Sequence, residues 1–399
     1  MFNLDEQIER EKKRYLDFAK LNEGKHLYIY GAGKQAVPIA EFFKENKVEI
    51  EGFCVTDKTA NKKTINQIPV FQVDEILHEK DETAFVFGVR VQLNSEIENI
   101  LSKHGFSNFL FASNMIRYIG TYGYSFYTSP MIEITTKLGC AVNCKYCPQE
   151  LYVKEYMKAD NPAKELSFEN FKICVDKLPK DTFIEFAGFT EPFFNERCID
   201  MIKYAKERGH KVNIFTTLRG LKVEDLEELL KIEFEEFVLH VPDKEGYSVI
   251  PINDEYKEIV SKLVEAKKPN GNAFIDYACS QGSVPKEVVD ILGNDTRIYV
   301  VLNDRAGNLT DDGLYGKRGL RGRIRCELSR DINHNVLLPD GRVILCSNDW
   351  GIKHVLGNLV HQTYAEILNG EEAQRIRKAM RSENDTCVLC RNCFQAICE

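Results

Sequence analysis

The chain has 399 residues, a formal net charge of −8, 43% hydrophobic and 29% charged residues, and 13 cysteines. That length suits two or three domains with sizeable cores. The acidic balance argues against nucleic-acid binding by bulk charge, and no apolar run reaches the roughly 18 residues of a membrane span. The start, MFNLDEQIEREKKRYLDF, is charged rather than apolar. A cytoplasmic location is therefore expected, where thirteen cysteines point to metal rather than disulfides.

In chain order, residues 3–21 place Leu4, Ile8, Tyr15 and Phe18 at roughly helical spacing. HLYIYGAGKQAVPIAEFFKEN then reads as strand, glycine turn and helix, with further strands in VEIEGFCVTD and TAFVFGV. This alternation predicts a small parallel α/β domain over 1–117. Gly31, Gly33 and Ala36 form a G-x-G-x-x-A turn, and Asp57 closes the next strand where a ribose-binding acid belongs. The stretch resembles the small Rossmann-like domains of sugar-nucleotide and surface-polysaccharide proteins. A nucleotide or nicotinamide ligand and a purely structural role both remain open there. A tyrosine-rich connector, YIGTYGYSFYTSP, is expected to pack its rings between domains.

From 128 to 310 a second series begins. MIEITTKL, TFIEFAGF, VNIFTTL, FVLHVPD, AFIDYAC and RIYVVLN alternate with helical stretches. Six such units predict an α/β fold of the partial (β/α)6 TIM-type barrel kind, with chemistry at the C-terminal strand ends. Residues 311–399 break into glycine, arginine and six late cysteines, so a small metal-supported unit is expected there.

The first of those strands runs into CAVNCKYCPQE. Cys140, Cys144 and Cys147 stand at C-x3-C-x2-C spacing, with Tyr146 before the last thiol. A closed zinc site needs a fourth ligand, and none follows before residue 174. The spacing resembles the motif of the radical S-adenosylmethionine (SAM) superfamily. The resemblance implies that these three thiolates hold a [4Fe-4S] cluster whose fourth iron chelates SAM. One electron then yields a hydrogen-abstracting 5′-deoxyadenosyl radical. FIEFAGFTEPFFN resembles the family's glycine-glycine-glutamate-proline strand end, keeping Gly188, Glu191 and Pro192 but placing Phe189 and Thr190 in the middle. By the same resemblance Glu191 contacts the SAM amino group, Thr216 and Thr217 lie near SAM, and His240 or Asp243 faces adenosine or substrate.

The tail resembles the SPASM or twitch extension of such enzymes, which carries auxiliary [4Fe-4S] clusters. Cys326 and Cys346 would pair with two of Cys387, Cys390 and Cys393, the last two preferred. No extra cysteine lies between 326 and 346, which favours one auxiliary cluster over two and leaves Cys398 unassigned. A zinc site is the alternative from the CxxC pairs. Lys317, Arg318, Arg321, Arg323 and Arg325 form a basic run suited to phosphate or to surface carboxylates.

The combined expectation is a radical SAM oxidoreductase or epimerase. It would act on a carbinol carbon of a phosphorylated or nucleotide-linked sugar or polyol, with Cys279 as candidate hydrogen donor. A peptide-modifying enzyme and a non-catalytic iron–sulfur module are the alternatives. The family implies a flavodoxin or ferredoxin as electron donor, while the acidic charge and the lack of an apolar span lead to the expectation of no nucleic-acid or membrane partner.

Overall fold

The computed structural model describes residues 4–33, 35–58, 63–89, 93–113, 115–293, 298–300, 305–309, 319–383 and 387–398. These fall into two compact units, Met1–Tyr127 and Thr128–Glu399.

In the first unit, helix α1 (Leu4–Leu21) precedes strand β1 (His26–Tyr30), helix α2 (Ala36–Glu45) and strand β2 (Gly52–Val55). Then come β3 (Thr64–Ile65), β4 (Ile68–Gln72), β5 (Thr83–Phe87), helix α3 (Asn94–Lys103) and β6 (Phe109–Leu110). The sheet order is β3-β4-β2-β1-β5-β6, parallel except for β3. Strands β2 and β5 are buried throughout, as parallel strands covered on both faces must be. The order in which strands are added to the sheet reverses between β1 and β5, and the glycine turn sits there. Gly31 has φ +106°, and a Cβ on it would lie 2.7 Å from the Gly88 carbonyl oxygen. A Cβ on Gly88 would in turn lie 2.7 Å from the Ala36 Cα. The small residues of this motif are thus required by backbone-to-backbone approach, whatever the domain binds. Gly33 supplies the carbonyl that accepts from Ala36 and Val37 as α2 starts, and Asp57 stands exposed beyond β2.

After α4 (Thr121–Thr128) the second unit opens with β7 (Met131–Ile134), followed by α5 (Gln149–Tyr156) and α6 (Phe168–Val175). Strands β8 (Phe183–Phe186), β9 (Lys211–Thr216), β10 (Glu236–His240), β11 (Tyr277–Ser280) and β12 (Ile298–Val300) alternate with α7 (Cys198–Glu207), α8 (Leu226–Leu229), α9 (Asp254–Glu265) and α10 (Lys286–Leu292). Neighbours from β7 to β12 pair in sequence and in parallel. All six segments expected to be barrel strands are therefore strands, in the expected order.

Residue alternation along each strand separates two environments. Ile132, Ile134, Ile184, Phe186, Val212, Ile214, Phe237, Leu239 and Ala278 join the core shared with the helices. The opposite face carries Glu133, Glu185 and Asn213 in register, and His240 beside Cys279.

The tail forms β13 (Ile324–Cys326), β14 (His334–Leu337), β15 (Arg342–Ile344), β16 (Val355–Asn358), α11 (Tyr364–Leu368), α12 (Glu371–Arg381) and β17 (Ala396–Cys398). The PDGR turn closes the expected β14–β15 hairpin, with Gly341 at φ +84°. Strand β14 also pairs with β7 in parallel, so β14, β15 and β16 extend the barrel sheet. Nothing in the hairpin's own pattern specifies that edge. The expected division at 310/311 lies outside the described residues.

Candidate iron–sulfur and SAM site

The triplet occupies the loop leaving β7 at the C-terminal end of the barrel strands. Left-handed φ values at Gly139 (79°) and Asn143 (50°) wind the loop tightly. The Cys147 N–H donates to the Cys144 carbonyl at 3.0 Å. The loop is braced by the segment after β10: Lys145 N–H donates to the Tyr247 carbonyl (2.8 Å) and Val249 N–H to that of Val142 (3.0 Å). Arg219 adds a bond to the Ala141 carbonyl at 2.6 Å.

The thiols interact directly. Cys144 and Cys147 share a hydrogen bond, which holds the Cys144 thiol above the ordinary range and the Cys147 thiol below it. Burial raises Cys140, opposed by backbone N–H groups of Val142 and Glu191 donating to its sulfur. Tyr146 bonds Cys144 through its hydroxyl and lies within electrostatic reach of Cys279, so it stands between the triplet and β11. Among the described residues no three His, Cys, Asp or Glu side chains converge tightly enough for a single metal ion. A cubane distributes its ligands over separate irons. Three soft thiol donors on one short loop suit such a cluster.

The second strand end explains itself locally. Gly188 has φ +50°, and a Cβ there would collide with Thr135 Oγ1 and lie 2.7 Å from the Ile134 carbonyl oxygen. The Phe189 N–H donates to Thr135 Oγ1 at 3.1 Å. Glu191 is buried, and both of its oxygens are engaged. Oε1 accepts from Thr216 Oγ1 (2.6 Å) and Phe193 N–H (3.4 Å), and Oε2 from the Thr217 N–H and hydroxyl (2.6 Å each). Burial raises its carboxyl and these donors oppose the rise. In this structure Glu191 ties the ends of β8 and β9 to the triplet loop, and Thr216 and Thr217 are its partners. Asp243 is spent on its own turn, accepting from Tyr247 N–H, Ser248 N–H and the Ser248 hydroxyl at 2.7–2.9 Å.

Two groups that sequence reasoning passed over face the same space. Glu133, the one charged residue of β7, is buried, and its carboxyl is pushed up to about 7, with Ser347 and Arg305 opposing the rise. Its position as a lone acid in an apolar strand was a readable signal. Arg305 carried none: it follows the last barrel strand in an ordinary polar segment. It hydrogen-bonds Cys147, and with burial it holds His240 down to about 4. His240 is thus neutral at physiological pH. Asn213 Oδ1 and Gln281 Oε1 are buried with no hydrogen-bond partner among the described residues.

Phe189, the departure from the family's glycine, stacks on Trp350, the chain's one tryptophan, with centroids 4.3 Å apart. Tyr152 closes the cluster at 4.8 Å from Phe189, and Cys147 packs against it. Gln149 donates to the Phe189 carbonyl at 2.6 Å. Apolar contact thereby joins the triplet loop to the segment just after Cys346.

The late cysteines sort themselves by electrostatic reach and exposure. Cys346 lies within electrostatic reach of Cys390 and Cys393, and Cys390 within reach of Cys326 and Cys393. Pairing of β13 with β17 brings Cys326 opposite Ala396. Cys387 and Cys398 are exposed. Cys346, Cys390 and Cys393 thus lie within electrostatic reach of one another, and Cys326 within reach of Cys390, a set whose four thiolates suit one cubane. Arg321 and Arg323 are exposed, Arg325 is half-buried, and Lys317 and Arg318 lie outside the described residues.

These features define an α/β protein with a parallel barrel sheet, a cysteine triplet at its mouth and a second thiol cluster in its tail. Residues 326–394 match the SPASM iron–sulfur cluster-binding domain. The expected resemblance of the tail to a SPASM extension is thereby borne out. Over 209 residues the chain is 25% identical to the probable dual-specificity RNA methyltransferase RlmN of Malacoplasma penetrans (strain HF-2), covering 49% of this chain. The match spans 51% of that relative, about half its length. Among solved structures, BtrN in complex with AdoMet and 2-DOIA is 16% identical with a TM-score of 0.46, covering 67% of this chain and 92% of that one. Streptococcus suis SuiB bound to precursor peptide SuiA is 12% identical with a TM-score of 0.45, covering 76% and 82%.

Proposed function

We propose that the chain is a radical SAM oxidoreductase or epimerase. Its substrate would be a phosphorylated or nucleotide-linked sugar or polyol, with hydrogen removed from a carbinol carbon. The observation that carries this is the triplet loop at the barrel mouth, opening onto a face lined with polar groups. Cys140, Cys144 and Cys147 would hold a [4Fe-4S] cluster, and Cys326, Cys346, Cys390 and Cys393 an auxiliary one. When bound, the first cluster with SAM supplies a hydrogen-abstracting radical.

The chain's own residues then orient and protect the substrate. Orphaned acceptors at Asn213 and Gln281, with Glu133 on the same sheet face as Asn213, favour a ligand rich in hydroxyl donors over an apolar one, because a buried acceptor left unpaired is costly. His240, neutral, is available to donate or accept one hydrogen bond. Cys279 is buried on β11 in register with His240, which supports reading its thiol as the hydrogen donor. Return of its hydrogen to the opposite side of the substrate carbon would give epimerisation. Loss of an electron to the auxiliary cluster and of the hydroxyl proton to solvent or a nearby base would give a ketone.

The test is anaerobic reconstitution with SAM, a reductant and carbon-deuterated sugar phosphates and sugar nucleotides. Deuterium in 5′-deoxyadenosine with one of them is the expected result. Transfer only from peptide substrates would replace this reading with peptide modification.

A further inference from the structure

We propose that Arg305 is a positioning residue holding a fixed positive charge against the Cys147 thiolate, in a place set by the auxiliary-cluster lobe. This rests on the triplet as a cluster site and holds whatever the substrate.

The backbone supplies the first reason. Arg305 and Ala306 both have left-handed conformations, at φ 51° and 53°. Neither is glycine, so the turn persists only where its surroundings over-determine it, and such strain concentrates at working sites. Those surroundings belong to the auxiliary thiols. Asn308 Nδ2 donates to the Arg305 carbonyl at 2.7 Å and to the Asn348 carbonyl at 2.8 Å. Asn348 lies two residues beyond Cys346, and its own amide contacts Cys393 Sγ at 3.6 Å. Ala306, 3% exposed, packs with Leu389, Cys393 and Ala396.

From this turn the side chain crosses to the other site. Its guanidinium carbon stands 5.8 Å from the Trp350 ring centroid, and the side chain hydrogen-bonds Cys147 while lying within electrostatic reach of Glu133 and His240. One strained turn thus touches a ligand candidate of each cluster. A guanidinium stays charged at every working pH, and in a partly buried setting its field is little screened. Reduction adds one negative charge to a thiolate-ligated cluster. A fixed cation beside one thiolate therefore favours the reduced form and raises the potential. Assembly of the tail would in this way make the triplet cluster easier to reduce.

The experiment is an EPR-monitored reductive titration of the anaerobically reconstituted full-length chain, with the triplet cluster identified as the signal that SAM addition alters. Wild type is compared with Arg305→Ala, Arg305→Gln, Arg305→Lys and Asn308→Ala at matched iron content. For the Ala and Gln variants the reduction equilibrium constant falls roughly tenfold, about 59 mV for one electron. The Lys variant, which keeps the charge, stays nearer wild type than either, and Asn308→Ala shifts less in the same direction. An unchanged potential in both neutral variants, or a Lys variant as low as Ala, overturns the proposal. Wild type that assembles no SAM-responsive cluster overturns the functional reading itself, a distinct outcome.

Discussion

The two thiol groups of residues 128–399 are built in opposite ways. Cys140, Cys144 and Cys147 lie within eight residues on one loop, braced by backbone bonds to its neighbours. Cys326, Cys346, Cys390 and Cys393 come from segments up to 67 residues apart in the chain (393 − 326), gathered by the β13–β17 pair and the turn around Leu389. The first arrangement is written into a short motif and needs only a strand end to stand on. The second exists only when the tail has folded, so a cluster bound there is also a staple for the fold. The contrast predicts that losing one thiol has a local chemical effect at the first site and a wider structural one at the second.

The largest effect separates them directly. Cys147→Ala should abolish 5′-deoxyadenosine formation while leaving the thermal transition near wild type. Cys390→Ala should remove roughly half of the bound iron, if one cubane sits at each site, and lower the transition as well. Cys387→Ala and Cys398→Ala, at exposed thiols, should leave iron content unchanged; loss of iron in either would redraw the auxiliary ligand set.

The aromatic contact between the two regions comes next. Trp350→Ala removes a ring 2% exposed that stacks on Phe189, and should cost about 3–5 kcal/mol in denaturant unfolding. Trp350→Phe should recover much of this. A cost near zero for the alanine variant would mean that the triplet loop and the tail are held together by other contacts.

Glu191→Gln probes the triplet side alone. The amide cannot accept from all of Thr216, Thr217 and Phe193 as the carboxylate does, so about 1–3 kcal/mol should be lost. SAM affinity should fall with it, measured by equilibrium dialysis. If affinity falls with stability intact, Glu191 contacts SAM directly, as the family resemblance implies. Cys279→Ala is the smallest change: stability moves little, and solvent deuterium at an inverted carbon disappears if this thiol is the donor.

How far the molecule could be read in its sequence follows the same division. Barrel strands announce themselves because they are short apolar runs alternating with helical stretches, and β7 to β12 fall where that pattern places them. The triplet is equally legible, since its spacing is local. The role of Glu191 was less so: its motif marked the residue, but Thr216 and Thr217, the threonines that bond its oxygens, stand 25 and 26 positions away. The Gly31 turn shows the reverse hazard, because a fingerprint usually associated with phosphate is required here by the approach of Gly88. The pairing of β14 with β7 joins partners some 200 residues apart, and no local pattern encodes it. Arg305 escaped notice for the same reason: its meaning lies in Asn348, Cys147 and Trp350, none of them near it in sequence.

The central claim is an iron–sulfur cluster held by three thiolates with one iron open to SAM. It is tested most directly by EPR of the anaerobically reconstituted, reduced chain before and after adding SAM. The account predicts a spectrum that changes with SAM and a component lost in Cys147→Ala. A spectrum indifferent to SAM, or one that survives that substitution, would contradict it.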